Sequence, residues 1–362
     1  MTLGIDEQGR LPLPWLQQPL QQALARQRGH ALLLHAAPGI GALQFVLCLA
    51  QSMLCEAPAA RQPAATALAC GHCTGCHLFQ AHVHPDLMVI LPEALRRQHQ
   101  WPMLGDKAEG DDGKRKPSRQ IRIDEIRAMR DWAAKTSARG HGKVAVLHPA
   151  PAMNLQAANA LLKTLEEPPL GTRLLLTAAD PAWLLPTVRS RCQSLRLAAP
   201  AADAAFRWLM EQQPGLTHTE ATQMLAASGG QVLDAAALLQ AGINATQWAD
   251  LPRAVVQMRF NAFASWSVPQ VVDTLQKICH DALATQLGAP PRFFASASLP
   301  ARADRAALSA WAQSLARVAR HDEHPWNEAL MIEALVTAGA RALSSPGPRH
   351  RAGAPALDTL RT

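Results

Sequence analysis

Four short apolar runs, separated by stretches of helical spacing, most constrain how this chain can fold. The first, His30-Ala31-Leu32-Leu33-Leu34-His35, meets Ala36-Ala37-Pro38-Gly39-Ile40-Gly41, and a helix then continues through Phe45, Leu47, Cys48, Leu49 and Met53 toward Cys55. Leu87–Leu91, Lys143–Leu147 and Arg173–Thr177 are the others. Strands separated by helices join through crossovers, so they lie parallel in a sheet covered on both faces. The predicted class is α/β, a parallel sheet flanked by helices.

After about residue 200 only helical stripes remain. Val268, Val271, Val272, Leu275, Ile278, Cys279, Ala282 and Leu283 keep helical spacing for four turns. Leu330, Met331, Ala334, Leu335 and Ala338 do the same, widened by Ile332 and Val336, which predicts burial on more than one side.

With 48% apolar and 17% charged residues, 362 residues suffice for two or three packed domains. A formal charge of +7 permits an acidic partner such as DNA without requiring one. No run of 18 apolar residues predicts a membrane span, and the first thirty residues carry no secretory pattern, so a cytoplasmic protein with reduced cysteines is expected. Residues 93–120 read as a polar loop insertion, acidic over Asp106–Asp112 and basic through Lys114, Arg115, Lys116, Arg119 and Arg122, and residues 346–362 as a disordered tail. Ile121, Ile123, Ile126 and Met129 open a further amphipathic helix, with Asp124 as its predicted N-cap.

The strand–glycine turn–helix order at residues 30–53 is the order of a phosphate-cradling loop, G-x-x-x-x-G-K-[ST]. Gly39 and Gly41 are kept, but Ala42 stands where the lysine belongs, Leu43 where the hydroxyl belongs, and the first glycine is gone. The strand ending at Leu147 leads into His148-Pro149, where a metal-holding carboxylate is needed; His148 reads as a surface loop residue.

Asn159-Ala160-Leu161-Leu162-Lys163-Thr164-Leu165-Glu166-Glu167-Pro168-Pro169 ends an amphipathic helix whose stripe is Leu155, Ala158, Leu161, Leu162 and Leu165. Two prolines stop it. Glu166 and Glu167 break a local rule, because they set negative charge at the negative end of the helix dipole. Such violations concentrate at functional sites.

That undecapeptide, with Thr187-Val188-Arg189-Ser190-Arg191-Cys192 beyond it, resembles the bacterial sliding-clamp loader ATPases, the AAA+ clamp-loader family of DNA polymerase III, and within it the delta-prime branch. The resemblance covers roughly residues 12–200 by motif and 200–345 by helical pattern alone. It implies an AAA+-like core over 1–197, a small helical lid over 198–245 and an all-α collar over 246–345 that packs with neighbouring subunits. It also implies that the sensor positions are lost, at Thr177–Ala179 and at Leu233, and that ATP is not hydrolysed. Delta-prime relatives share this condition.

Arg191, the arginine of the Ser-Arg-Cys turn, is by the same likeness an arginine finger reaching into the ATP site of a neighbour. Guanidinium is planar and always charged, which suits contact with phosphate oxygens. Cys192 reads as core packing. The implied partners are gamma/tau-type ATPase subunits and the delta subunit, and through them a sliding clamp and primer–template DNA. An active gamma-type ATPase and a stand-alone zinc-containing DNA-binding protein are the rival readings.

Cys70-x2-Cys73-x2-Cys76 with Cys55 upstream supplies four thiolates, the set that a closed structural zinc site takes. His72, His77 and His82 are alternative ligands, and Cys48 reads as core.

Overall fold

The computed structural model describes residues 2–26, 29–58, 66–102, 117–300, 303–319 and 327–345. The acidic and basic run from Asp106 to Lys116 and the expected tail over 346–362 lie outside these described residues.

Five parallel strands form one sheet: β1 (Ala31–Ala36), β2 (Leu87–Ile90), β3 (Lys143–Leu147), β4 (Thr172–Ala178) and β5 (Gln193–Leu197), in the order β2-β3-β4-β1-β5. This is the α/β class, a parallel sheet flanked by helices, that the alternation predicts. The four apolar runs are β1 to β4. The fifth strand, not among them, is an edge strand whose Gln193, Ser194 and Arg196 are exposed, so it lacks the continuous apolar signature of a strand buried on both faces.

Before β1 lies α1 (Gln17–Arg26), and after it α2 (Ala42–Leu54), which is buried almost all round. Then come α3 (Thr74–Gln80), α4 (Glu93–Gln98), α5 (Ile123–Ala133), α6 (Leu155–Glu166), α7 (Pro186–Arg189) and α8 (Ala202–Gln212). One core layer joins Leu33, Ala145, Leu147, Leu174 and Leu176 of the sheet to Ile126 and Met129 of α5 and Leu161 and Leu165 of α6.

Three local expectations are corrected here. Residues 93–98 are helix α4 and not loop; Arg96 is buried there, donating to the Leu91 carbonyl (2.9 Å) and the Glu125 carboxylate (2.7 Å). The N-cap of α5 is Arg122 and not Asp124, and Glu125 reaches back to accept the Arg122 N–H at 2.8 Å. Leu155, expected in the apolar stripe of α6, stands exposed in its first turn, while Ala158, Leu161 and Leu165 are buried.

The chain divides into two compact units, Met1–Glu211 with Gln231–Leu233, and Gln212–Gly230 with Asp234–Thr362. Among its described residues the second has helices and no strand: α9 (His218–Ala227), most of α10 (Val232–Gln240), α11 (Ala245–Val256), α12 (Val268–Gln286), α13 (Arg305–Ala319) and α14 (Glu328–Ser344). The α12 stripe is buried as its spacing predicts. On α14 the buried face is Ile332, Leu335, Val336, Gly339, Ala340 and Leu343, whereas Leu330 and Ala334 are exposed. Burial is one-sided because α11, α12 and α13 all pack on that face. A Cβ at Gly339 would come within 2.8 Å of the Trp311 ring and 2.9 Å of Val255, so glycine sets this close approach.

Candidate functional site

The degenerate phosphate loop follows the C-terminal end of β1. Gly41 starts α2 in the left-handed region (φ 102°), where a Cβ would fall 2.2 Å from the Leu13 side chain. Leu13, Ile40 and Leu43 are buried, and Leu43 packs into the core where a metal-binding hydroxyl would be needed. The Trp15 indole donates to the Ile40 carbonyl (3.0 Å) and the Leu233 N–H to the Gly39 carbonyl (3.1 Å). From Gly39 to Leu43 no side chain carries a charge or a hydroxyl. The loop keeps its backbone turn, and the carbonyls of Gly39, Ile40 and Gly41 are satisfied from within the chain.

His148 follows β3 and is drawn inward, contrary to the expectation of a surface residue. Its Nδ1 sits 2.7 Å from the hydroxyl of buried Thr177 on β4. Burial, with His99 nearby, pushes the imidazole down to about 4, so it is neutral at neutral pH. A neutral imidazole bonded to a threonine supplies no negative charge for a metal ion.

Arg191 lies on the opposite edge of the sheet. Gln193 opens β5 level with Leu32 near the start of β1, so Arg191 stands at the N-terminal edge, whereas Gly39–Leu43 stand beyond the C-terminal edge. One Arg191 Nη donates to the Thr187 carbonyl (3.0 Å) and approaches the Ser190 hydroxyl (3.4 Å); the other meets the Glu166 carboxylate at 2.7 Å. The guanidinium remains partly open to solvent, at 36% exposure. Cys192 is half-buried against the core beneath, as its packing role predicts, and Cys48 is fully buried.

Cys55 caps the far end of α2, and Cys73 caps α3, its sulfur accepting the Cys76 N–H. The four sulfurs of Cys55, Cys70, Cys73 and Cys76 lie within 4.8 Å of one another, with Cys55–Cys73 at 3.9 Å and Cys70–Cys76 at 4.0 Å. Tetrahedral zinc with Zn–S bonds of ~2.3 Å holds its sulfurs ~3.8 Å apart, so the set fits that ion.

Backbone N–H groups of Glu56, Cys70, Cys73 and Cys76 point at sulfurs at 3.3–3.4 Å, and such donors favour thiolate, the form a metal requires. Gly71 fixes the turn: at φ 84° a Cβ would lie 2.0 Å from the Asp6 carbonyl oxygen. Of the alternative ligands, His72 bonds the Cys70 carbonyl and His82 stacks on Trp101. Neither they nor His77 belong to the cluster. The cluster can hold a metal ion.

Sequence reasoning missed the residues that close the phosphate loop, Leu13, Trp15 and the Leu233 amide, because nothing local marks contacts over 25 residues or more. It also missed Asp86, buried in the His84-Pro85-Asp86 turn, which accepts from the Ser137 hydroxyl and the Ala138 and Arg139 N–H groups at 2.8–2.9 Å. Arg139 in turn pairs with Glu56 beside the cysteine cluster.

A family model described as "DNA polymerase III, delta subunit" matches residues 14–201, just over half of the chain. DNA polymerase III subunit delta' of Pseudomonas aeruginosa is 39% identical over 231 residues, 62% of each chain. The Escherichia coli protein of the same name is 32% identical over 203 residues, 55% of this chain and 52% of its own. The match thus spans between half and two thirds of these relatives' length. Among solved structures, a DNA polymerase III gamma subunit-related protein from Thermotoga maritima aligns with a TM-score of 0.46 and 16% identity, over 90% of this chain and 99% of its own. The phosphate loop, the cysteine cluster and the Ser-Arg-Cys turn all fall inside the span matched by the family model, and the chain belongs to the DNA polymerase III delta-subunit family.

Proposed function

We propose that this chain is a non-catalytic, delta-prime-like subunit of the DNA polymerase III clamp loader. It presents Arg191 in trans to the ATP site of a gamma/tau-type neighbour and, with that neighbour and a delta subunit, helps place a sliding clamp on primed DNA in the cytoplasm. The observation that carries this reading is the separation of Arg191 from the phosphate loop. The length of strand between them is on the order of 15 Å, and they lie at opposite edges of one sheet. A guanidinium so placed cannot serve its own loop and is available to another subunit's nucleotide. That distant loop has Ala42 and Leu43 in place of the lysine and the hydroxyl that ATP hydrolysis uses, and His148 follows β3 where the carboxylate would stand.

In this reading residues 1–197 form the core, 198–245 a lid, and 246–345 a collar that packs with those of neighbours. Zinc held by Cys55, Cys70, Cys73 and Cys76 is structural, since four protein ligands leave no open position for a substrate.

The test is reconstitution with gamma/tau-type ATPase subunits and a delta subunit. Arg191→Ala lowers clamp loading by at least about tenfold, well inside what an arginine finger can supply, while the subunits still co-elute. The purified chain alone turns over no ATP. Wild-type loading by the Arg191→Ala complex, or ATP turnover by the isolated chain, sinks this reading.

A further inference from the structure

Glu166 is the last residue of α6, and its carboxylate stands where the helix dipole is negative. Its Oε1 lies 2.7 Å from an Arg191 Nη, while the other Nη is bonded to the Thr187 carbonyl at 3.0 Å. Both terminal nitrogens of the guanidinium are therefore engaged within the chain. Phosphate is gripped through paired N–H groups along one edge of the guanidinium, the edge a carboxylate also takes. The Glu166 carboxylate, through one oxygen, occupies one of the nitrogens that such a grip uses.

The pair is also a poor device for stability. Its side chains are 36% and 51% exposed, and an exposed pair of this kind contributes little. What it does accomplish is to fix one arginine rotamer and neutralise its charge while no phosphate is near. The contact is released easily for the same reason, because a terminal phosphate brings more charge and more acceptor oxygens than one carboxylate.

We propose that Glu166 is a clasp on Arg191: it holds the guanidinium on the unassembled subunit and yields it to the terminal phosphate of a neighbour's ATP. This rests on the trans role of Arg191 proposed above. Glu166 is a positioning residue that touches the arginine and not the nucleotide.

Two measurements separate the clasp from that role. In the full-length chain alone, the rate at which phenylglyoxal modifies Arg191 is read by peptide mass spectrometry, with Arg127 as internal reference. Glu166→Gln and Glu166→Ala raise it about threefold to fivefold, the span a surface pair allows, and Glu167→Gln does not. Equal rates in wild type and both Glu166 variants overturn the clasp whatever Arg191 does in the complex.

In the reconstituted complex, Glu166→Gln raises ATP turnover at subsaturating ATP by up to about fivefold, and only while Arg191 is present. Lowered turnover would mean that Glu166 aligns Arg191 for catalysis, which overturns the exchange. Unchanged turnover overturns it too. If Arg191→Ala leaves turnover intact, the trans role falls and the exchange with it, and the modification rates alone decide whether a clasp exists.

Discussion

The loop after β1 and the turn before β5 stand at opposite edges of one sheet and differ in how their polar groups are held. At the first, Leu13, Trp15 and Leu233 close around Gly39–Leu43, and the carbonyls of the loop are satisfied by the chain's own donors. At the second, a guanidinium stands partly in solvent, tied by three weak contacts to two helix ends. Apolar side chains hold the one, and a partly exposed ion pair holds the other. The contrast teaches that one sheet can carry a turn fixed by apolar packing at one edge and a solvent-exposed charged turn at the other.

The largest effect expected is at the cysteine cluster, and it tests whether the two edges are held by different means. If the cluster holds zinc as proposed, chelation or Cys73→Ser removes the tetrahedral set and with it a binding free energy that is part of folding. Amide exchange over 55–58 and 66–80 should lose protection, melting should fall by more than about 5 °C, and one zinc per chain should be released. The phosphate-loop end of α2, held by apolar contacts, keeps its protection. Loss of protection across all of α2 would mean that one device holds both edges.

Next in size is Gly41→Val. The substitution drives a branched side chain into Leu13 at a φ of 102° that such residues avoid. A loss of about 2–4 kcal/mol is expected, read as a lower urea midpoint. Little change would show that Leu13 can move aside, contrary to the close approach described above.

How much of this was legible in the sequence depended on whether the signal was local. The three inner strands were legible because a strand buried on both faces is a continuous apolar run, as in Leu32–Leu34 or Val144–Leu147. Of the two edge strands, β2 was legible because it is Leu-Met-Val-Ile, and β5 was not, because Gln193, Ser194 and Arg196 leave it mostly polar. Helical stripes gave the axis of α14 but not its buried face, since Leu330 and Leu335 look alike until the packing partners are known. The cysteine set was legible because ligand spacing is itself the motif. Glu166 was half-legible: its charge at the wrong helix end marked it, but only the fold names Arg191 as its partner.

A smaller effect comes from His148, whose imidazole is held at about 4 by burial, with His99 contributing. The folded chain keeps it neutral, while the unfolded chain protonates it near pH 6.5. Below that pH the unfolded state binds the extra proton, so this contribution is intact above about pH 6.5 and is lost as pH falls toward 4. His148→Gln, which keeps a polar partner for Thr177, should flatten the slope of stability against pH in that window. An unchanged slope would assign the acid sensitivity to His82, His84 or His99, which burial also pushes down.

The smallest effect on stability belongs to Arg191→Ala, and it is the sharpest form of the comparison. Its pair with Glu166 is short at 2.7 Å, but both side chains are too exposed for much of that attraction to survive solvent screening. Unfolding free energy should change by less than about 0.5 kcal/mol, against the several lost at Gly41. The same substitution is expected to cost the assembled complex at least about tenfold in clamp loading. A residue that matters little to folding and much to a neighbour's chemistry is what a lent guanidinium must be. If Arg191→Ala instead destabilised the isolated chain as Gly41→Val does, the turn before β5 would be a structural element, and the two edges of the sheet would no longer differ in kind.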